Sequence, residues 1–449
     1  MSEHRVNPNL GRLSYAQVNR DILATLGKPG KIYLGLLIFC LGLVAVGGYC
    51  WGQIIWKGVG VTNLNNPVGW GLLITTFVFW VGIGHAGTLI SAILFLLRVP
   101  WRTAIFRAAE TTTIFAVVTA GLFPLIHLGR VWAMYYILPY ANGRQLWPNF
   151  RSPLVWDVLA ISTYLTVSAI FFFVGLVPDI AAIRDRSKVS AVRWVWKILS
   201  LGWMGSTRQW KHYLAAYVLF AGLATPLVIS VHSVVSWDFA MSVIPGWHTT
   251  IFAPYFVAGA ILSGLAMVLT ILIPLRAAFR IGHIIRLYHL EGMAKVLLFT
   301  SLIVGYAYAT EFFIAWYSGN PFEIAIFKFR PTGHYAGIFW GMVTCNVVIP
   351  SLFFFKKVRT SLVGLLLVAI AVNFGMWFER FNIIVTSLSH DFLPHNWGSY
   401  WPSPVEWGIL AGSFGWFFLL FLMFVKILPS ISLAEVKESM PEGVKEDAA

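Results

Sequence analysis

The sequence predicts an all-α, polytopic membrane protein of about ten transmembrane helices with both termini in the cytoplasm, and three observations carry that expectation. Of 449 residues, 58% are hydrophobic and 11% are charged, against roughly 25% charged in a soluble domain. The 21 Trp, 35 Phe and 16 Tyr, with a mean hydropathy of +0.75, bring more apolar area than soluble cores bury. The apolar residues also fall in charge-poor runs of about the 20 residues that a helix needs to cross a bilayer.

In chain order these runs lie at 32–56, 68–97, 104–137, 154–181, 212–236, 250–275, 294–317, 334–355, 361–383 and 405–427, separated by Pro-, Gly- and Asn-rich breaks. Glu110 interrupts the third and Glu311 the seventh. Both are kept as helices, because a buried acid in an apolar helix is costly and usually functional. The first 30 residues are polar and lack the short apolar core and cleavage site of a signal peptide, so they read as a retained tail. Cys40, Cys50 and Cys345 lie inside apolar runs without C-x-x-C spacing, which leaves no zinc or iron–sulfur centre to expect in this chain.

The formal charge of +14 is not a nucleic-acid footprint, because the basic residues are spread over short loops rather than along one face or arm. Counted over alternate loops, 25 Lys and Arg fall on the side of the two tails and 7 on the other. Cytoplasmic loops carry the excess, so both tails are assigned to the cytoplasm. The outward loops, among them YANGRQLWPNFRSP and HDFLPHNWGSYWPSP, are rich in Trp, Asn, Pro and His. That composition suits an interfacial aromatic belt and equally a surface on which an extracytoplasmic partner docks.

With orientation assigned, each polar residue in an apolar run acquires a depth. His127, Asp157, Asp238, His248 and the pair Glu379–Arg380 come to the outer ends of five helices. A hydrophobic molecule that is deprotonated on oxidation needs such a set: carboxylate and imidazole for protons, an Arg to hold the partner charge, and aromatic walls. Trp132, Tyr135, Tyr136, Trp156 and Trp237 are candidates for the walls. Each residue alone also has a plainer reading: an interfacial His, a wetted Asp at a helix end, Asp157 at a positive helix N-terminus, and Glu379–Arg380 as a locally compensated pair.

A deeper set, His85, Glu110, His232 and Glu311, reads either as a proton relay leading outward or as groups paired across helices. Glu110 and His127 are 17 residues apart, about 25 Å along one helix, so other groups or water must bridge them. His127 and His232 are the one pair that haem ligation from facing helices would use, and no haem is expected here. Ala86-Gly87-x-x-x-Ser91 of run two recurs as Ala258-Gly259-x-x-x-Ser263 of run six. Runs two to five and six to nine share one in/out sense, which allows a parallel four-helix repeat, although small residues at this spacing serve any close helix contact.

The segments GHAGTLISAILFLLRVPWRTAIFRAAE (84–110), VVSWDFAMSVIPGWHTTIFAPYFVAGAILSG (234–264) and NFGMWFERFNII (373–384) resemble the polysulfide reductase NrfD family of quinone-interacting membrane subunits, over nearly all ten runs. Ten runs rather than eight, with the C-terminal ISLAEVKESMP (431–441), are most similar to the branch formed by the first of the two NrfD-like membrane subunits of bacterial alternative complex III, a quinol:electron-acceptor oxidoreductase. The alternatives are the paralogous NrfD-like subunit of the same complex, a subunit of a polysulfide or molybdopterin reductase, and, outside the family, a proton-coupled secondary transporter.

The resemblance implies two four-helix bundles, 68–236 and 250–383, with single helices at 32–56 and 405–427 and cytoplasmic tails at 1–31 and 428–449. It implies a menaquinol pocket in the first bundle, toward the periplasmic face of the bacterial cytoplasmic membrane. His127 and Asp157 match the family's pocket His and Asp, and Asp238 and Arg380 its other charged residues nearby. Implied partners are a periplasmic iron–sulfur subunit, c-type haem subunits and a second NrfD-like membrane subunit, with no haem, iron–sulfur centre or nucleic acid bound by this chain.

Overall fold

The structure is a computed structural model and describes residues 14–138, 152–187, 189–438 and 440. Its regular elements are all helical, with no strand among the described residues. In chain order they are α1 (Tyr15–Ala24), α2 (Lys31–Lys57), α3 (Leu72–Ile83), α4 (Phe106–His127), α5 (Pro153–Arg186), α6 (Ser190–Leu199), α7 (Thr207–Ala240), α8 (Phe252–Ala278), α9 (Leu287–Ser318), α10 (Pro321–Thr332), α11 (Ala336–Phe354), α12 (Leu362–Thr386), α13 (Pro404–Ile427) and α14 (Leu433–Glu438). Among the described residues, nine of these, α2, α4, α5, α7, α8, α9, α11, α12 and α13, are long and apolar enough to cross a bilayer. The chain is a multi-pass integral membrane protein.

The second apolar run is a broken helix. α3 stops at Gly84, and short turns with a π-helical ring at Leu89–Ile93 carry the chain to Leu96. A break at membrane depth frees backbone groups that water cannot reach, so protein must satisfy them. Three side chains do so: Tyr164 Oη donates to Gly84 O at 2.8 Å, His85 Nδ1 bonds Val81 O at 2.7 Å, and Gly87 N donates to Thr113 Oγ1 at 2.8 Å. The third run is shorter than its apolar stretch, because α4 ends at His127, Gly129 takes φ +70°, and Val131–Ile137 winds as a 3₁₀ helix. α10 stands where the sequence reads as an outward loop; its N-cap Asn320 accepts from Phe322 N at 3.0 Å, with Pro321 at the first helical position.

α3, α4, α5 and α7 pack as one group, and α8, α9, α11 and α12 as another. α8 also packs on α3 and α7 and so joins the two. It is the most enclosed crossing, with 83% of its apolar window buried, against 11% for α2. The two Ala-Gly-x-x-x-Ser segments serve different contacts. A Cβ on Gly87 would lie 2.4 Å from Ala109 O of α4, whereas one on Gly259 would lie 3.2 Å from Arg380 Nη2 of α12.

α2 and α13 pair side by side with backbones touching, since a Cβ on Gly47 would stand 2.7 Å from Gly412 Cα. They run antiparallel: Tyr33 Oη donates to Leu422 O at 2.9 Å at one end, and Asn63 N to Glu406 Oε2 at 3.2 Å at the other. The first and last described segments of the chain therefore meet at one end of the helix array, called here the end of the chain termini. The same end gathers Arg102–Glu435 at 2.8 Å, His283–Asp21 at 2.9 Å and Leu433 N–Asp179 at 3.0 Å. The opposite end gathers Gly246 N–Glu323 at 2.9 Å and Leu72 N–Tyr400 Oη at 2.9 Å. Arg102 and Arg107 on the first side, and Arg330 and Arg380 on the second, are buried; setting all four aside leaves the Lys/Arg excess with the chain ends.

Candidate functional site

The polar side chains buried among the helices fall into four groups. The first stands where α5 begins and α7 ends, at the end of the helix array opposite α1 and α14; α5 and α7 pack along each other. Asp157 follows N-cap Ser152 and Pro153 in the opening turns of α5, and Asp238 closes α7. Their carboxyl groups stand within interaction range of each other. Ionised carboxylates only accept hydrogen bonds and repel each other at close range, so neither acid serves the other as a cation would. Each acid keeps an Oδ1 with no partner among the described residues, and the preceding residues, Trp156 and Trp237, meet edge to face at 5.9 Å.

His127 ends α4 half-buried, its Nδ1 2.7 Å from Phe123 O. With that bond donated by Nδ1–H, the neutral ring presents Nε2 as an acceptor. Trp132, Tyr135 and Tyr136 lie beyond it on the 3₁₀ turn, at 66%, 50% and 62% exposure. Tyr135 and Tyr136 stack on each other at 4.5 Å; of the expected wall residues, Trp156 and Trp237 are less exposed than these. Of the outward loop YANGRQLWPNFRSP, 140–151 lie outside the described residues.

The second group lies where the two helix sets meet. His85, in the break after α3, and His232 of α7 stand edge to face at 4.5 Å, and Tyr164 stacks on His85 at 5.3 Å. His85 Nε2 and both nitrogens of His232 have no hydrogen-bond partner among the described residues. Arg380 of α12 is within electrostatic reach of both rings and covers Phe256 at 4.4 Å. It pairs with Glu379 at 3.2 Å; Glu379 accepts in turn from Tyr308 Oη, which receives Asn346 Nδ2 at 2.9 Å. Arg380 therefore stands with His85 and His232, which depth along the sequence had set apart from it.

The third group belongs to the second helix set. Glu311 of α9 faces Arg330 of α10 at 3.8 Å, Arg330 donates to Gly246 O and Ser387 Oγ at 3.2 Å, and Glu323 holds His248 at 3.2 Å. Glu311, Glu323 and His248 line one small cavity. His248 thus shares an end of the molecule with Asp157 but belongs to a different group.

The fourth group closes the end that holds the chain termini. Glu110 pairs with Arg107 at 3.1 Å and accepts from Tyr217 Oη at 3.4 Å. Arg107 reaches on to Asp179 Oδ2 at 3.1 Å and Gly175 O at 2.6 Å, and Asp179 Oδ1 accepts Leu433 N. Burial pushes the Glu435 carboxyl above its usual range, and Arg102 opposes that rise. Arg107 and Arg330 read as loop charges in the sequence, and Asp179, Tyr164 and Tyr308 were passed over inside apolar runs. Arg107 three residues before Glu110 is the one local signal, an i,i+3 pair.

An all-helical, multi-pass membrane protein with ionisable groups gathered at helix depth is the class this architecture defines. Among the described residues, no group of three or more His, Cys, Asp or Glu side chains is arranged to hold a metal ion. The chain belongs to the NrfD polysulphide reductase family, which matches residues 60–390. That range holds all four groups apart from the C-terminal residues Leu433 and Glu435, and leaves out α2 and α13.

The chain is 21% identical over 430 residues to an Hdr-like menaquinol oxidoreductase integral membrane subunit of Archaeoglobus fulgidus, covering 91% of this chain and 96% of that one. It is 24% identical to a selenate reductase subunit of Mesobacillus selenatarsenatis, over 83% and 88% of the two chains. It is 27% identical to a putative dimethyl sulfoxide reductase membrane subunit of Halobacterium salinarum over 254 residues, 56% of this chain and 53% of that one. The chain thus spans about half the length of the Halobacterium relative and most of the other two.

Proposed function

We propose that this chain is the quinol-binding membrane subunit of a respiratory or photosynthetic oxidoreductase complex, oxidising menaquinol near the periplasmic face of a bacterial cytoplasmic membrane. The observation that carries the reading is the Asp157–Asp238 pair, two acids brought together at helix ends, each with a buried Oδ1 that has no partner among the described residues. Oxidation of a quinol releases two electrons and two protons. Asp157 and His127 Nε2 accept the protons and release them outward, Asp238 shares the proton load of Asp157, and Trp156 and Trp237 wall the ring. The electrons leave for an iron–sulfur partner subunit. The name of the Archaeoglobus relative, matched over nearly its whole length, supports menaquinol.

His85, His232, Glu311 and Glu110 are the candidates for carrying protons further, with Arg380 poising the first two. Placement in the alternative complex III branch, with c-type haem subunits and a second NrfD-like subunit, rests on the likeness of 431–441. Crossing number does not separate that branch from the Hdr-like relative, which this chain covers almost end to end. Purification from the native membrane tests it: c-type haem subunits should accompany the chain, and a molybdopterin subunit in their place would assign it to a reductase complex.

The site itself is tested in the assembled complex. Asp157→Asn and His127→Ala should abolish quinol oxidation while assembly persists, and full activity in either variant refutes the assignment. The chain alone in liposomes should show no quinol oxidation until the iron–sulfur partner is added, whereas a transporter would work unaided.

A further inference from the structure

At the end that gathers the chain termini, a groove of about 850 Å³ runs between α1, the last turn of α5, α6 and the end of α13. Its charged lining is Arg20, Arg186 and Lys426, with no carboxylate among the lining residues. Neither Arg20 nor Arg186 has an ion-pair or hydrogen-bond partner among the described residues. Lys426 spends two donors on Thr25 O and Gly27 O, at 2.9 and 3.3 Å, and an ammonium carries three. The rest of the lining is mainly apolar, with Trp196 and Ile427 among it.

α6, which forms one wall, has no buried side chain and exposes Val192, Val195 and Ile198. An amphipathic helix of this kind lies in the plane of the membrane surface with its apolar side in the acyl boundary. The groove therefore opens at headgroup level, and unpaired cations over apolar walls complement a phosphate attached to acyl chains.

We infer that this groove binds an anionic glycerophospholipid, its phosphate held by Arg20, Arg186 and Lys426 and its chains running down between α5 and α13. The full-length chain, purified and delipidated, is titrated with phosphatidylglycerol and with phosphatidylcholine, and bound lipid is counted by native mass spectrometry. Phosphatidylglycerol should be retained preferentially. Each of Arg20→Ala and Arg186→Ala should weaken that retention about fivefold, the worth of one basic residue at an anionic surface. The charge-keeping pair Arg20→Lys with Arg186→Lys should retain it within about twofold on the same ground, which also controls for folding. Equal retention of the two lipids, unchanged retention in either alanine variant, or a lysine pair as weak as the alanine variants would each overturn the inference, as would a partner polypeptide cross-linking into the groove in place of lipid.

Discussion

α5 carries a buried acid at each end, Asp157 and Asp179, 22 residues and about 33 Å apart, and the two are held in opposite ways. Asp179 is fully buried and completely satisfied, one oxygen taking Arg107 and the other Leu433 N. Asp157 is 6% exposed, its partner is another acid, and one of its oxygens is unmet. Burial is common to both, so burial does not distinguish function. Unspent capacity on the carboxyl does separate the two acids, and under the proposed function a ligand or a proton would use what otherwise costs stability.

Four substitutions test that contrast, from the largest effect to the smallest. Asp157→Asn should lower quinol oxidation by more than about 10²-fold, the scale of a lost general base, with the unfolding midpoint of the complex little moved. Arg107→Ala should do the reverse, lowering stability by about 3–5 kcal/mol because Glu110 and Asp179 are left buried without their cation; unfolding in detergent with increasing denaturant measures it. If Arg107→Ala unfolds no more readily than the parent, or Asp157→Asn does so by as much, the contrast fails. Gly87→Ala puts a Cβ 2.4 Å from Ala109 O and should cost about 1–3 kcal/mol by overpacking, read from thermal unfolding. Tyr164→Phe leaves Gly84 O without its donor at the break after α3 and should cost about 1 kcal/mol, seen as faster amide exchange confined to residues 84–88.

Much of the architecture was legible because hydrophobic runs report directly on a solvent that cannot hydrogen-bond. Glu110 and Glu311 do lie inside helices, as retaining their runs required. α10 was missed although its cap, Asn320-Pro321, is a local signal, because the surrounding Asn, Pro and Gly read as loop. The break after α3 had no such signal: GIGHAG sits in an apolar run, and what makes a turn tolerable there is Tyr164, 80 residues from Gly84.

The candidate site was legible in one coordinate only. Counting residues along a helix assigns depth, and Asp157, Asp238 and His248 do lie toward one end of the helix array. Depth says nothing about direction around the helix axis. His248 turned out to face Glu323, and Arg380 to stand with His85 and His232.

Sequence alone determined that this chain lies in a membrane and where most of its crossings fall, because both follow from transferring whole segments between water and lipid; of the ten apolar runs, nine are helices long enough to cross among the described residues, and the second is broken after α3. Tertiary structure alone decided which acids found cations and which were left facing each other. That outcome depends on contacts between residues as far apart as Arg107, Asp179 and Leu433, and one side chain's partner on another helix is not written in the residues beside it.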